Sequence, residues 1–178
     1  AFCQAQNAFS IRRPLAQRHA ERYVLQYPAP ETTAADLDRI YGLPFSRNVP
    51  EHFPEFRMAQ FSVVTHRGCL GDCSFCSLTL HQGDRLVSRS EDSILDEIRR
   101  LTAHPDFKGF IDDLGGPSAN MYGMDCPAPC TAGGCLACGS LDRGHRRLID
   151  LMRQARAIPG VKKVFVRSGV RYDLALES

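Results

Sequence analysis

The chain has 178 residues, 43% hydrophobic and 24% charged, an ordinary make-up for a globular domain with room for a core. A formal net charge of +2 gives no case from composition for a nucleic-acid or anionic-membrane partner. No apolar run approaches a membrane span, and no basic stretch followed by an apolar core opens the chain as a signal peptide would.

Residues 1–30 are polar and basic and read as an arm or the tail of a preceding region. The start at Ala1-Phe2-Cys3, with no methionine, points to a piece of something longer. Thr33-Ala34-Ala35-Asp36 resembles a capping box, so a short helix is expected at 33–41, ended by Gly42 and Pro44. Pro44, Pro50 and Pro54 should keep the next stretch extended. Met58 to Thr65 reads as a strand, with Phe61, Val63 and Val64 as β-formers.

Ser90 can cap a helix with Glu91 and Asp92 in its first turn. Ile94, Leu95, Ile98 and Leu101 recur at helical spacing, predicting a helix over 91–103 that Pro105 ends. Phe110 to Leu114 is a second strand, stopped by Gly115-Gly116-Pro117. Residues 117–140 show little periodicity. Leu148, Leu151, Met152 and Ala155 mark a helix over 143–157, and Val161 to Val166 a third strand. Alternating strands and helices predict an α/β fold of parallel β/α units with an irregular cysteine-rich insertion. In such folds ligands gather at the carboxyl ends of the strands, here the loop after Thr65, the Gly115-Gly116 turn and Ser168-Gly169. A closed eight-unit barrel needs ~250 residues, so either a small open sheet or part of a barrel is expected. The expected division is 1–56 as the arm and 57–178 as the first part of the main domain.

Eight cysteines are many for this length. One, Cys3, stands apart, and a free thiol in a flexible arm is its default reading. The others form a triplet, Cys69, Cys73 and Cys76, and a quartet, Cys126, Cys130, Cys135 and Cys138. Spacings of two to four residues without a secretion signal favour metal over disulfides and a reducing, cytoplasmic compartment. The triplet, C-x3-C-x2-C, is one ligand short of the four a cubane iron–sulfur cluster usually takes, which leaves a position where a small molecule can react. The competing reading is zinc, closed by His66 or His81. The quartet suits either structural zinc or an auxiliary iron–sulfur cluster, because both accept four thiolates.

Asp112 and Asp113 are adjacent on a strand and point to opposite faces, so a structural role is expected rather than paired acid–base work. His81 reads equally as a substrate contact or a plain hydrogen-bonded histidine. The scattered basic pairs, such as Arg99-Arg100 and Lys162-Lys163, read as solvated faces rather than a nucleic-acid patch.

The triplet spacing matches the cluster motif of radical S-adenosylmethionine (SAM) enzymes, and Phe75 fits their habit of an aromatic before the last cysteine. Further motifs follow in order: Arg67-Gly68-Cys69, Ser77 to Gly83, Ser88-Arg89-Ser90, Asp113-Leu114-Gly115-Gly116-Pro117, Ala119-Asn120-Met121-Tyr122, and Ser168 to Asp173. Together they resemble the YgiQ-type radical SAM proteins, a UPF0313-like family, from about residue 30 to the end. The resemblance implies the front part of a TIM-like radical SAM barrel, truncated here. It implies that Cys69, Cys73 and Cys76 ligate three irons of a 4Fe-4S cluster and that SAM chelates the fourth. One electron would then cleave SAM to a 5′-deoxyadenosyl radical that abstracts hydrogen from an unknown substrate. The implied cofactor-binding residues are Phe75, Gly115, Gly116, Ser168 and Arg171, and the implied electron donor is a flavodoxin or ferredoxin. The family's Gly-Gly-Glu is replaced by Gly115-Gly116-Pro117, so only the backbone role carries over. The alternative function is an iron–sulfur or zinc module for electron transfer or structure, without SAM chemistry.

Overall fold

The computed structural model describes residues 14–27, 30–71, 73–126 and 134–176. Strands β1 (Leu15–His19) and β2 (Arg22–Gln26) form an antiparallel hairpin with almost every residue exposed. Residues 14–27 of the expected arm thus carry regular structure of their own. Its two-residue turn puts Ala20 at φ 52°, the positive φ such turns require, without the Gly or Asn that would announce it in sequence.

Helix α1 (Ala34–Tyr41) begins where expected. The Thr33 hydroxyl accepts from the Asp36 amide, and Asp36 accepts from the Thr33 amide at 3.0 Å, so two orphan donors are satisfied reciprocally. The next stretch departs from expectation. Pro54–Ala59 forms a 3₁₀ helix, which takes Met58 and Ala59 out of the predicted strand. The observed strand, β3, is only Ser62–Val64. Proline at the first helical position is preorganised for a helical turn, so the prolines did not keep the chain extended throughout.

After β3, strand β4 (His66–Arg67) leads into the cysteine loop and α2 (Leu78–Gln82). Strand β5 (Val87–Ser88) then returns antiparallel to β4. Helix α3 (Glu91–Thr102) is capped by Ser90 and buries Ile94, Leu95, Ile98 and Leu101, the predicted stripe. The second predicted strand is split at Asp112 into β6 (Phe110–Ile111) and β7 (Asp113–Gly115). Helix α4 (Arg146–Ala157), strand β8 (Lys163–Val164) and helix α5 (Tyr172–Leu176) follow, the last not anticipated.

The split has a reason. β7 pairs in parallel with β3, and β6 in parallel with β8. The Phe165 amide donates to the Ile111 carbonyl at 3.0 Å and the Leu114 amide to the Phe165 carbonyl at 2.9 Å. Residues 110–115 are thus bonded on both sides, giving a parallel array in the order 61–64, 110–115, 163–165. It is open, with no closed barrel among the described residues. Helix α3 packs on β3 and α4, and α4 on β8. Their shared core includes Val63, Ile98, Ile111, Leu114, Leu151 and Ala155. Each buried aliphatic of Leu or Ile size contributes about 1.5–3 kcal/mol.

One buried ion pair ties these layers together. Arg89, with no exposed surface, donates to Glu97 at 2.6 Å, to the Val64 carbonyl at 2.7 Å and to the Ser93 carbonyl at 3.0 Å. Arg47 also pairs with Glu97, and the Arg89 guanidinium sits 4.3 Å over the Tyr41 ring. The start of α3, the end of β3 and the end of α1 are thereby fixed to one another. No described helix is long and apolar enough to cross a membrane.

Candidate metal centre

The carboxyl ends of the parallel segments converge, and glycine makes the convergence close. A β-carbon on Gly115 would stand 2.5 Å from the Ser168 hydroxyl, and one on Gly116 2.5 Å from the His66 ring. The loops after β3, β7 and β8 therefore meet at one edge. The two glycines permit close approach of protein groups from neighbouring loops.

Asp113 organises the third loop. Its carboxylate accepts from the Arg167 amide at 2.7 Å, the Ser168 amide at 3.2 Å and the Ser168 hydroxyl. Asp112 accepts from the Phe61 amide at 3.2 Å. The two carboxylates serve different loops, in keeping with the structural role expected of them.

His66 has no exposed surface. Its Nδ1 lies 2.9 Å from the Thr65 hydroxyl, and its Nε2 has no hydrogen-bond partner. Burial holds its pKa down to about 4, against the opposing pull of Asp125 and the Ser118 backbone. The imidazole is therefore neutral at physiological pH. His81, by contrast, is exposed on α2.

Cys69, Cys73 and Cys76 lie on the loop between β4 and α2, all half-buried and none in a disulfide. Residue 72 of this loop is outside the described residues. The Gly71 amide donates to Cys69 Sγ at 3.4 Å, and Met121 Sδ lies 4.0 Å from the same sulfur. The Cys76 amide donates to the Cys73 carbonyl at 3.0 Å, turning the loop. Arg171 donates to Cys73 Sγ at 3.3 Å. The neighbouring Asp173 carboxylate, and then Cys73, raise the pKa of Arg171 above its ordinary value. Phe75 is 90% exposed. Among the described residues, no three His, Cys, Asp or Glu side chains close on a common point as a ready metal site.

The donor chemistry of the loop nevertheless fits an iron–sulfur cluster. It offers three soft thiol donors on one short segment, with N–H donors aimed at two of the sulfurs. Such hydrogen bonds are a standard influence on clusters held by thiolates.

Of the quartet, Cys130 lies outside the described residues. Cys126 is exposed, and Cys135 and Cys138 flank a 3₁₀ turn, Cys135–Ala137. Cys69 and Cys135 pack against the same apolar cluster of Leu70, Leu86, Met121, Met124 and Leu174. One cysteine of the quartet and one of the triplet thus share an apolar cluster, which spacing in the chain did not reveal.

Sequence reasoning named Asn120 within a motif but gave it no role. It is buried, accepts from the Arg171 amide at 2.9 Å and donates to the Arg171 carbonyl at 2.9 Å. Its signal was a polar residue between the buried Ala119 and Met121 in an aperiodic stretch, which marks a residue held by specific hydrogen bonds.

Comparison with known proteins finds relatives. A UPF0313 protein of Methanocella arvoryzae is 46% identical over 176 residues, 92% of this chain and 29% of its own length. A UPF0313 protein of Methanosarcina mazei is 46% identical over 92% of this chain, and one of Chromobacterium violaceum 45% identical over 93%. Over most of its length the chain matches a segment of UPF0313 proteins, as a fragment of that family would. No protein-family model matches it. It spans 24–29% of the length of these UPF0313 relatives. The UPF0313 name specifies no activity, so the chemistry rests on the residues described above.

Proposed function

We propose that this segment is the cluster-bearing part of a radical SAM enzyme, the front of a TIM-like barrel. The observation that carries the reading is the placement of the Cys69-Cys73-Cys76 loop. It comes after the first parallel strand by way of β4, whose His66 packs on Gly116, and Arg171, just beyond the Ser168-Gly169 turn, reaches it at Cys73. A carrier with four protein ligands has no use for such an edge, whereas a triplet there would leave one coordination position open to a small molecule.

When bound, a 4Fe-4S cluster and SAM together supply one-electron reductive cleavage to a 5′-deoxyadenosyl radical that takes hydrogen from a substrate. Cys69, Cys73 and Cys76 would hold three of the irons. Gly115 and Gly116 keep the second turn low enough for its backbone to border the pocket. Asp113 fixes the Arg167-Ser168 segment at the rim through three hydrogen bonds. Phe75, exposed beside Cys76, is proposed to cover whatever binds at the loop. The quartet at Cys126, Cys130, Cys135 and Cys138 is proposed as a second metal or cluster site. The electron would come from a flavodoxin- or ferredoxin-type donor in the cytoplasm.

Anaerobic reconstitution with iron and sulfide, followed by reduction with SAM present, tests the reading. Four irons bound at the triplet and release of 5′-deoxyadenosine, both lost in Cys73→Ala, are the expected results. A reduced, reconstituted wild type with neither a cluster spectrum nor SAM cleavage would overturn it, and zinc bound in place of iron would favour a structural module.

A further inference from the structure

The guanidinium of Arg171 is divided between two tasks, and its three nitrogens are all assigned. Nε donates to Asp173 Oδ1 at 3.1 Å and one terminal nitrogen to Asp173 Oδ2 at 2.5 Å. The other terminal nitrogen reaches Cys73 Sγ at 3.3 Å. The backbone beneath is clamped on both its N–H and its C=O by the Asn120 side chain. Three-quarters of the Arg171 side chain is withdrawn from solvent. A planar fork held at two points by one carboxylate aims its remaining N–H groups in a fixed direction, and here that direction is a sulfur.

A second, independent observation concerns Gly71. Its φ is not positive, so its backbone would accept a side chain. The space would not. A β-carbon there would stand 2.6 Å from the Arg171 terminal nitrogen that bonds Cys73, and 3.4 Å from Cys69 Sγ. The glycine two residues after the first cysteine leaves open the passage through which the guanidinium reaches the loop.

We propose that Arg171 is a positioning and tuning residue for the cluster loop. It donates a charged hydrogen bond to the Cys73 sulfur through a passage that Gly71 keeps clear, and so raises the reduction potential of a cluster bound there. The proposal rests on the cluster reading above. Reduction adds negative charge to the cluster and its thiolates. A fixed cation hydrogen-bonded to one sulfur stabilises the reduced form more than the oxidised form, which raises the potential. Three of the five guanidinium N–H donors are committed to Asp173 and Cys73.

The test is an EPR-monitored redox titration of the reconstituted cluster in the intact protein, without SAM, for wild type, Arg171→Met, Arg171→Lys, Gly71→Ala and the Arg171→Met/Gly71→Ala double variant. Iron and sulfide content and far-UV circular dichroism confirm that each variant is folded and loaded. Arg171→Met and Gly71→Ala are expected to lower the midpoint by similar amounts. The double variant should go no lower than either, and Arg171→Lys should fall between wild type and Arg171→Met. An unchanged midpoint in loaded Arg171→Met overturns the proposal, as does weaker SAM binding in that variant with no shift in potential. A shift in Arg171→Met without one in Gly71→Ala overturns the role given to the glycine. Should the wild type take up no cluster, it is the underlying cluster reading that fails, recognisable because no variant then has a midpoint to compare.

Discussion

The imidazole of His66 fills the space that a side chain on Gly116 would need, with three ring atoms 2.5–2.8 Å from the position of a β-carbon there. The strand that leads into the cysteine loop and the turn after the second parallel segment are thus packed ring against backbone. Gly116→Ala should force one of them aside. A loss of about 1–3 kcal/mol is expected, the usual cost of overpacking, and urea denaturation of the mutant would measure it.

The same histidine makes stability depend on pH. Its folded pKa is depressed from the ordinary 6.5 to about 4 by burial. Above pH 6.5 both folded and unfolded forms are neutral and stability is unaffected. As pH falls from 6.5 toward 4 only the unfolded chain gains the proton, so stability is lost across that window. The full loss is about 3.5 kcal/mol, at roughly 1.4 kcal/mol for each pH unit between the two values. A His66→Asn variant should show a flatter stability profile between pH 4 and 6.5. An equally steep profile in that variant would count against the assignment.

Glu97 receives both Arg89 and Arg47 in a site almost closed to solvent. Glu97→Ala would leave the Arg89 charge buried without its carboxylate. A destabilisation of about 3–5 kcal/mol is expected, since removing one partner of a buried pair strands the other. Replacing Arg89 and Glu97 together with apolar residues of similar volume should cost less than the single change, and chemical denaturation of the set would decide it.

Asn120 holds the Arg171 backbone by two hydrogen bonds. Asn120→Ala would leave both backbone groups without their partner, at about 1–3 kcal/mol for each group that remains buried. Asn120→Asp keeps the acceptor and removes the donor, so it should fall between. Thermal unfolding of the three proteins would give the order.

Ser90 caps α3 by accepting from the Ser93 amide at 3.2 Å. Ser90→Ala should cost about 1 kcal/mol, and Ser90→Gly only a few tenths. The ratio of the two losses separates capping from any packing role of the side chain.

Local signals were readable directly from the chain. The Thr33 and Ser90 caps, the apolar stripe Ile94-Leu95-Ile98-Leu101 and the stops at Gly42 and Pro105 each depend on residues within one or two helical turns. The corresponding elements α1 and α3 stand where those signals put them. The parallel arrangement followed from the alternation of strands and helices. The β1–β2 hairpin was not readable because Ala20 adopts a turn conformation that its identity does not advertise. The split of residues 110–115 was not readable either, because it reflects two different partners on either side of Asp112.

By itself the sequence determined that Cys69, Cys73 and Cys76 share one short loop, since spacings this close hold the three thiols together in the chain whatever surrounds them. Only the tertiary structure decided what meets those thiols. Arg171 lies 98 residues from Cys73. The passage past Gly71, the clamp by Asn120 and the ring of His66 beneath Gly116 are all contacts between distant segments. Close packing of three loops at one sheet edge fixes them, and no local propensity encodes such packing.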